Sequence, residues 1–390
     1  MKSTQSQCAQ ERQGYPISRR TFIGLSMGAL AAWLAGCRAT ITAQPSPITP
    51  PTPTSPPSST PTPEPSPAAS PAPPSPPSPT PTLEPSPAAP PSLPSLPSLT
   101  SHWPATATSR VVVVRHSGVW VGSAPDPQIV LHMLDAGISA LSDTADVLAV
   151  WRALSAPADR VLLKVNCISA GGPTQPAVAY AVVRRLQDAG LSAENILIFD
   201  RTDGELAAAG YTLNDGGPGV QCHGARGEGS VAALTQASVR FYQDLDAATA
   251  IVNIPTPKQH GSAGVSVALK NHYGSVNRPG ALHGNWCDPA IAELNAQPNV
   301  RDKTRLVVGA ALNVSPDDWN RPARENALLV SFDPVALDTV GRDILVRHRQ
   351  ARGGDAGSLI EGARHLGTAQ KLGLGATDVN LIDLREIMLG

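Results

Sequence analysis

From residue 109 onward, apolar runs of strand length alternate with longer stretches whose apolar positions recur every three to four residues. That alternation predicts an α/β fold, a mostly parallel sheet with helices on both faces, built as a single domain over residues 109–390. Residues 110–115 (RVVVVR) are β-branched without alternation, as suits a strand buried on both faces. Asp126 and Pro127 then open a helix, with the aspartate as cap and the proline where its missing N–H costs nothing. Ile129, Val130, Met133 and Leu134 give that helix its inward stripe. Further strands are expected at 160–166, 195–200, 248–254, 305–313 and 327–332, with a short last one at 379–383. Gly190 ends a helix over 174–189, and Asp333-Pro334 opens another. Residues 262–273 predict a helix that stops at Gly274, with Val265, Ala268, Leu269 and His272 on its packed face. Asp338 and Arg342 have the spacing of a surface ion pair with the acid first; the alternative is that Asp338 turns inward.

Upstream of residue 109 no such period exists. Most of the 40 prolines fall between Pro45 and Pro104, so residues 38–108 read as a Pro/Ser/Thr-rich disordered stalk unable to bury enough surface to fold. Arg19 and Arg20 precede an apolar run, residues 22–34, that is too short to span a bilayer. Residues 18–23 (SRRTFI) resemble the twin-arginine export signal, and residues 34–37 (LAGC) resemble a bacterial lipobox. Residues 1–37 therefore read as a signal peptide ending at Cys37, the expected lipidation site. The expected location is outside the cytoplasm, at the outer face of the cytoplasmic membrane or in the cell envelope, with the membrane as a partner through the lipid anchor.

Charge narrows the partners. A formal net charge of −1 with 16% charged residues offers no basic field for nucleic acid, which is excluded as a partner class. Of the five cysteines, Cys8 leaves with the signal and Cys37 takes lipid, leaving Cys167, Cys222 and Cys287, enough for one disulfide and a free thiol. No C-x-x-C spacing is present, so a ferredoxin-type iron–sulfur motif is absent.

The chemistry concentrates in residues 251–288, where Gly and Pro repeatedly interrupt a chain carrying Lys258, His260, Lys270, Asn271 and His283. Lys164 and Asn166 close an earlier strand, and ligands in open α/β sheets bind beyond the carboxyl ends of strands. His260, His283 and Lys270 are the candidate catalytic residues, since imidazole and a perturbed amine exchange protons near neutral pH. Lys164, Asn166, Lys258, Asn271 and Asp338 are candidate ligand contacts. His260 and His283 are also the candidate ligands of a divalent metal, the one cofactor this pattern suggests. Cys222 with His223 reads as structural, because neighbours in a strand face opposite ways.

Asn253-Ile254-Pro255 with Lys258 and His260, Ala268-Leu269-Lys270-Asn271 with Gly274, then His283, and finally residues 333–338 (DPVALD) resemble the bacterial family called domain of unknown function 362. The likeness covers roughly residues 161–383. Residues 164–166 (KVN) are similar to the family's Lys-Pro-Asn strand end, with Val165 departing from it. The resemblance implies a site pattern more than an activity. Three readings follow: an exported, tethered enzyme acting on a small anionic molecule, metal-dependent if the histidines bind one; a lipoprotein that captures such a molecule without turnover; and an adhesive module, disfavoured by an aromatic content of 4%.

Overall fold

Eight strands build one sheet: β1 (Ser109–His116), β2 (Val161–Lys164), β3 (Ile196–Asp200), β4 (Gln221–Gly224), β5 (Ala250–Asn253), β6 (Thr304–Val314), β7 (Ala323–Ser331) and β8 (Ile382–Leu389). Their spatial order is β8-β1-β7-β6-β5-β2-β3-β4. All run parallel except β7, which lies antiparallel to both β1 and β6. The computed structural model describes residues 108–168 and 172–390. Cys37, Arg19, Arg20 and the proline-rich stretch lie outside the described residues. Among the described residues no helix is long and apolar enough to cross a membrane.

The valine run explains β1. Val112 and Val114 face one side with Leu163 and Ile198, against Met133, Leu134 and Ile138 of α1 (Pro127–Ser142) and Val182 and Leu186 of α2 (Pro176–Asp188). Val111 and Val113 face the other side with Leu162 and Phe199. There they meet Leu269 of α3 (Ala268–Asn271) and Leu337 and Ile344 of α4 (Pro334–Ala351). Each such side chain contributes about 1.5–3 kcal/mol by leaving water, so a strand apolar on both faces is held only when both helical layers are present. The expected α/β fold is the one observed, within one unit that includes residues 109–390.

Cap chemistry behaves as expected at two helix starts. Asp126 Oδ1 accepts from the N–H of Gln128 and Ile129, and Asp333 Oδ1 accepts from Val335 and Ala336. Gly190, at φ +106°, ends α2 in a backbone state only glycine adopts without strain.

Four expectations are corrected. The helix over 262–273 is instead a hairpin, Lys258–His260 paired with Gly264–Ser266, followed by the short α3 and a 3-10 turn at His272–Ser275. The cause is Gly264, at φ +67°, whose Cβ would stand 2.7 Å from Ala363 N. The last strand begins later, at Ile382, because Asp378 turns the chain by accepting from Asn380 N (2.9 Å) and the alternating pattern of an edge strand starts only afterwards. Asp338 does not pair with Arg342, which meets Asp343 instead. Cys167, Cys222 and Cys287 are all free and buried, with no disulfide.

Candidate active site

The order of the strands creates the crevice. From β2 the chain moves outward to β3 and β4, then returns to β5 on the opposite side of β2 and proceeds to β6 and β7. The chain therefore leaves β2 and β5 toward opposite sides of the sheet, which is where open α/β sheets leave room for a ligand. A cavity of about 110 Å³ opens there, lined by Lys164 at the end of β2 and Asn166 just beyond it, Lys258 and His260 beyond β5, Lys270 and Asn271 on α3, and His283. Seven residues spread over about 120 positions of sequence thus share one wall system, as their strand-end placement suggested.

A web of amides fixes this wall. Lys164 Nζ donates to Asp200 Oδ1 (2.7 Å), to the Val165 carbonyl (2.7 Å) and to Asn271 Oδ1 (3.3 Å). Asn166 Nδ2 donates to the same Asn271 oxygen (3.1 Å), while Asn166 Oδ1 accepts from Lys258 Nζ. Asn271 Nδ2 reaches back to the Lys164 carbonyl (3.0 Å) and to Asn253 Oδ1 (2.8 Å). Every polar atom of Asn271 is thereby used, so its role is to set the positions of the two lysines. Asn253 Nδ2 lies 3.2 Å from His272 Nε2, and His272 is packed and buried as expected.

The second half of the wall is cationic and aromatic. Lys270 Nζ stands 3.3 Å from His283 Nε2 and 4.1 Å from the centre of the Tyr273 ring. Since His283 Nδ1 faces the Pro279 carbonyl at 2.8 Å, the proton sits on Nδ1 and Nε2 accepts from the ammonium. The His260 ring packs 5.4 Å from His283 and 6.2 Å from Trp319, with its Nδ1 accepting from Ser262 N (3.1 Å). Gly274 closes the floor: a Cβ there would stand 2.9 Å from Lys164 Nζ and 3.0 Å from Asp200 Oδ1.

Charge around the cavity does not cancel. Lys164 pairs with Asp200 and Arg201 with Glu205, but among the described residues Lys258 and Lys270 meet no carboxylate. Burial drives the Lys258 amine down to about 7, Asp200 only partly restoring it, and drives Lys270 down to about 8. Burial, then the Lys270 charge, holds His260 neutral, with its pKa at about 3, and lowers His283 by the same two causes.

A divalent cation does not fit these groups. The lone pair of His283 Nε2 is taken by the Lys270 ammonium, the nearby carboxylates are engaged with Lys164 and Arg201, and no cluster of three metal-type donors occurs among the described residues. The metal assignment of His260 and His283 is corrected on that ground. Asp338 is corrected as a ligand contact: it is fully buried behind α3, accepting from Ala268 N (2.6 Å) and Leu269 N (3.1 Å), and does not line the cavity. It acts on the site by holding the helix that carries Lys270 and Asn271.

Tyr273, Trp319, Arg201 and Glu205 also line the cavity and were not singled out in the sequence. Arg201 follows directly on β3, so the strand-end rule that finds Lys164 would have found it. Trp319 sits in a loop without period and reaches the site because its Nε1 donates to the Gln259 carbonyl (2.7 Å).

A search of curated proteins by sequence gives no match. Among solved structures, the chain is similar to a Thermotoga maritima protein at 12% identity and a TM-score of 0.37, over 59% of this chain and 60% of that one. It is similar also to the lactate racemase apoprotein of Thermoanaerobacterium thermosaccharolyticum, at 12% identity and a TM-score of 0.34, over 61% and 56%. The chain thus spans less than two thirds of the length of either structure. Residues 161–343, which run from β2 into α4 and carry all seven cavity residues named above, match the family model described as domain of unknown function (DUF362), and this supports the resemblance to that family.

Proposed function

We propose that the cavity binds a small anionic molecule, a carboxylate or phosphate, and that the protein is an enzyme acting on it. The observation that carries this reading is the pair of buried lysines, Lys258 and Lys270, that line the cavity and, among the described residues, meet no carboxylate. A buried ammonium without a counter-charge is costly, and an anion entering the cavity removes that cost. Chemistry beyond capture is supported by amines placed near neutrality, at about 7 and about 8, beside an imidazole of fixed tautomer.

Calorimetry with phosphate, oxalate and pyruvate tests the binding. The anion favours protonated lysines, so affinity is expected to be greatest below about pH 7 and to fall as pH rises through about 7 and then about 8. Lys270→Met should lower it tenfold or more, since a hydrogen bond to a charged group is worth about 1.5–3 kcal/mol. Binding that ignores both pH and this substitution would end the proposal.

The setting is proposed with the site. Arg19-Arg20 ahead of an apolar run, followed by Leu34-Ala35-Gly36-Cys37, supports export and lipid attachment at Cys37, placing the enzyme on the membrane surface outside the cytoplasm. Cells fed radiolabelled fatty acid should label the wild-type protein and leave Cys37→Ser unlabelled; a labelled variant would refute the anchor.

A further inference from the structure

We infer that Lys258 is a nucleophilic amine that condenses with the carbonyl carbon of a small 2-oxo acid to form a Schiff base, while Lys270 holds the acid's carboxylate. This rests on the anion reading above for the carboxylate and goes beyond it for the covalent step.

The two lysines are equipped differently. Lys258 is 1% exposed, yet its partners are neutral: its Nζ donates to Asn166 Oδ1 and lies 5.6 Å from the centre of the Trp319 ring. Asn166 links it through Asn271 Oδ1 to the Lys164 ammonium, whose charge is matched by Asp200. An amine that is desolvated and set near another cation is the arrangement that frees a lone pair for attack on a carbonyl. Lys270 instead faces an imidazole and a tyrosine ring, both of which favour its ammonium form. Burial brings Lys258 to about 7 and Lys270 to about 8, so there is a window in which the first has lost its proton and the second keeps it.

The cavity also suits the ligand and the bond. At about 110 Å³ it holds about three to four waters' worth of volume, enough for a three-carbon acid. Trp319, Tyr273 and Ile168 supply apolar wall, which slows hydrolysis of an imine once formed.

The step balances without a redox partner. The Lys258 lone pair forms the N–C bond as the carbonyl π pair moves to oxygen. A proton passes from nitrogen to that oxygen, giving a carbinolamine. The C–O bond then breaks as the hydroxyl leaves with a proton from the medium as water, and the nitrogen lone pair closes the iminium.

Borohydride trapping tests it on the full chain. The sequence holds only six lysines, Lys2, Lys164, Lys258, Lys270, Lys303 and Lys371, so peptide mapping of wild-type protein assigns any adduct without a variant. With pyruvate, one saturable adduct is expected on Lys258, absent from Lys258→Arg and increasing as pH rises through about 7. In Lys270→Met it should persist but need at least tenfold more pyruvate. Adducts on Lys164 or Lys270, or spread over Lys303 and Lys371, would overturn the inference. Pyruvate that binds by calorimetry yet leaves no adduct would overturn the Schiff base and spare the anion site. Benzaldehyde trapped at Lys258 while pyruvate neither binds nor traps would overturn the 2-oxo acid, and the anion reading falls with it when phosphate and oxalate also fail to bind.

Discussion

Asp200→Ala is expected to destabilise the protein by about 3–5 kcal/mol, the largest loss from any single change at the site. The substitution leaves the Lys164 ammonium, 1% exposed, with only the Val165 carbonyl and Asn271 Oδ1 to face, and it also strands the Cys167 N–H, which donates to Asp200 Oδ2 at 2.5 Å. Breaking a buried pair from one side is far costlier than never having built it, because the remaining charge can neither reach water nor find a new partner. Asp200→Asn should recover part of the loss, since an amide oxygen can still accept from one donor while the charge is gone. Urea unfolding of the three proteins at neutral pH measures this. An Asp200→Ala midpoint within error of wild type would show that the Lys164–Asp200 contact does not hold the floor of the cavity.

Lys258→Met is expected to act in the opposite sense, raising stability by about 1–4 kcal/mol while weakening anion binding and abolishing pyruvate trapping. The sign follows from the direction of its shift. A lysine whose pKa drops from 10.5 in the unfolded chain to about 7 in the fold binds fewer protons when folded across that interval. Its charged form is therefore a penalty that is full below about pH 7 and disappears by about pH 10.5. Methionine of similar length carries no such penalty, so the advantage of the variant should be greatest at pH 7 and shrink as pH rises toward 10. Tracking the difference in unfolding free energy between the two proteins, rather than either alone, removes the contribution of tyrosines and cysteines that also titrate in this range. A variant that is less stable at pH 7, or a difference that does not change with pH, would mean that Lys258 is held by favourable contacts and is not a cost carried for function.

The sheet was legible because its cause is local to each strand. A four-valine run such as Val111–Val114 can be satisfied only between two apolar layers, and the Asp-Pro starts at Asp126 and Asp333 name their helices by hydrogen bonds made within three residues. The convergence of Lys164, Asn166 and Lys258 was legible for the same reason, since a strand end has one side of the sheet to occupy. What stayed hidden depends on distant chain. Helical spacing at Val265, Ala268 and Leu269 was real, yet Gly264 is pressed against Gly362 almost a hundred positions away, and that contact bends residues 258–266 into a hairpin. Asp338 looked like half of a surface pair because its spacing to Arg342 is right. Its actual partners are the N–H groups of Ala268 and Leu269, about seventy residues earlier, a contact no window of sequence contains.

The parallel run of β1 with β2, β3 and β5 gives the body a front and a back. Ser109 enters at the edge where these strands begin, held there by a bond from its hydroxyl to Asp333, whereas Lys164, Asp200 and the Lys258 segment stand beyond the edge where they end. The start of β1 and the mouth of the cavity thus lie at opposite edges of the sheet, so a change near Ser109 is separated from Lys258 and Lys270 by the full length of the strands.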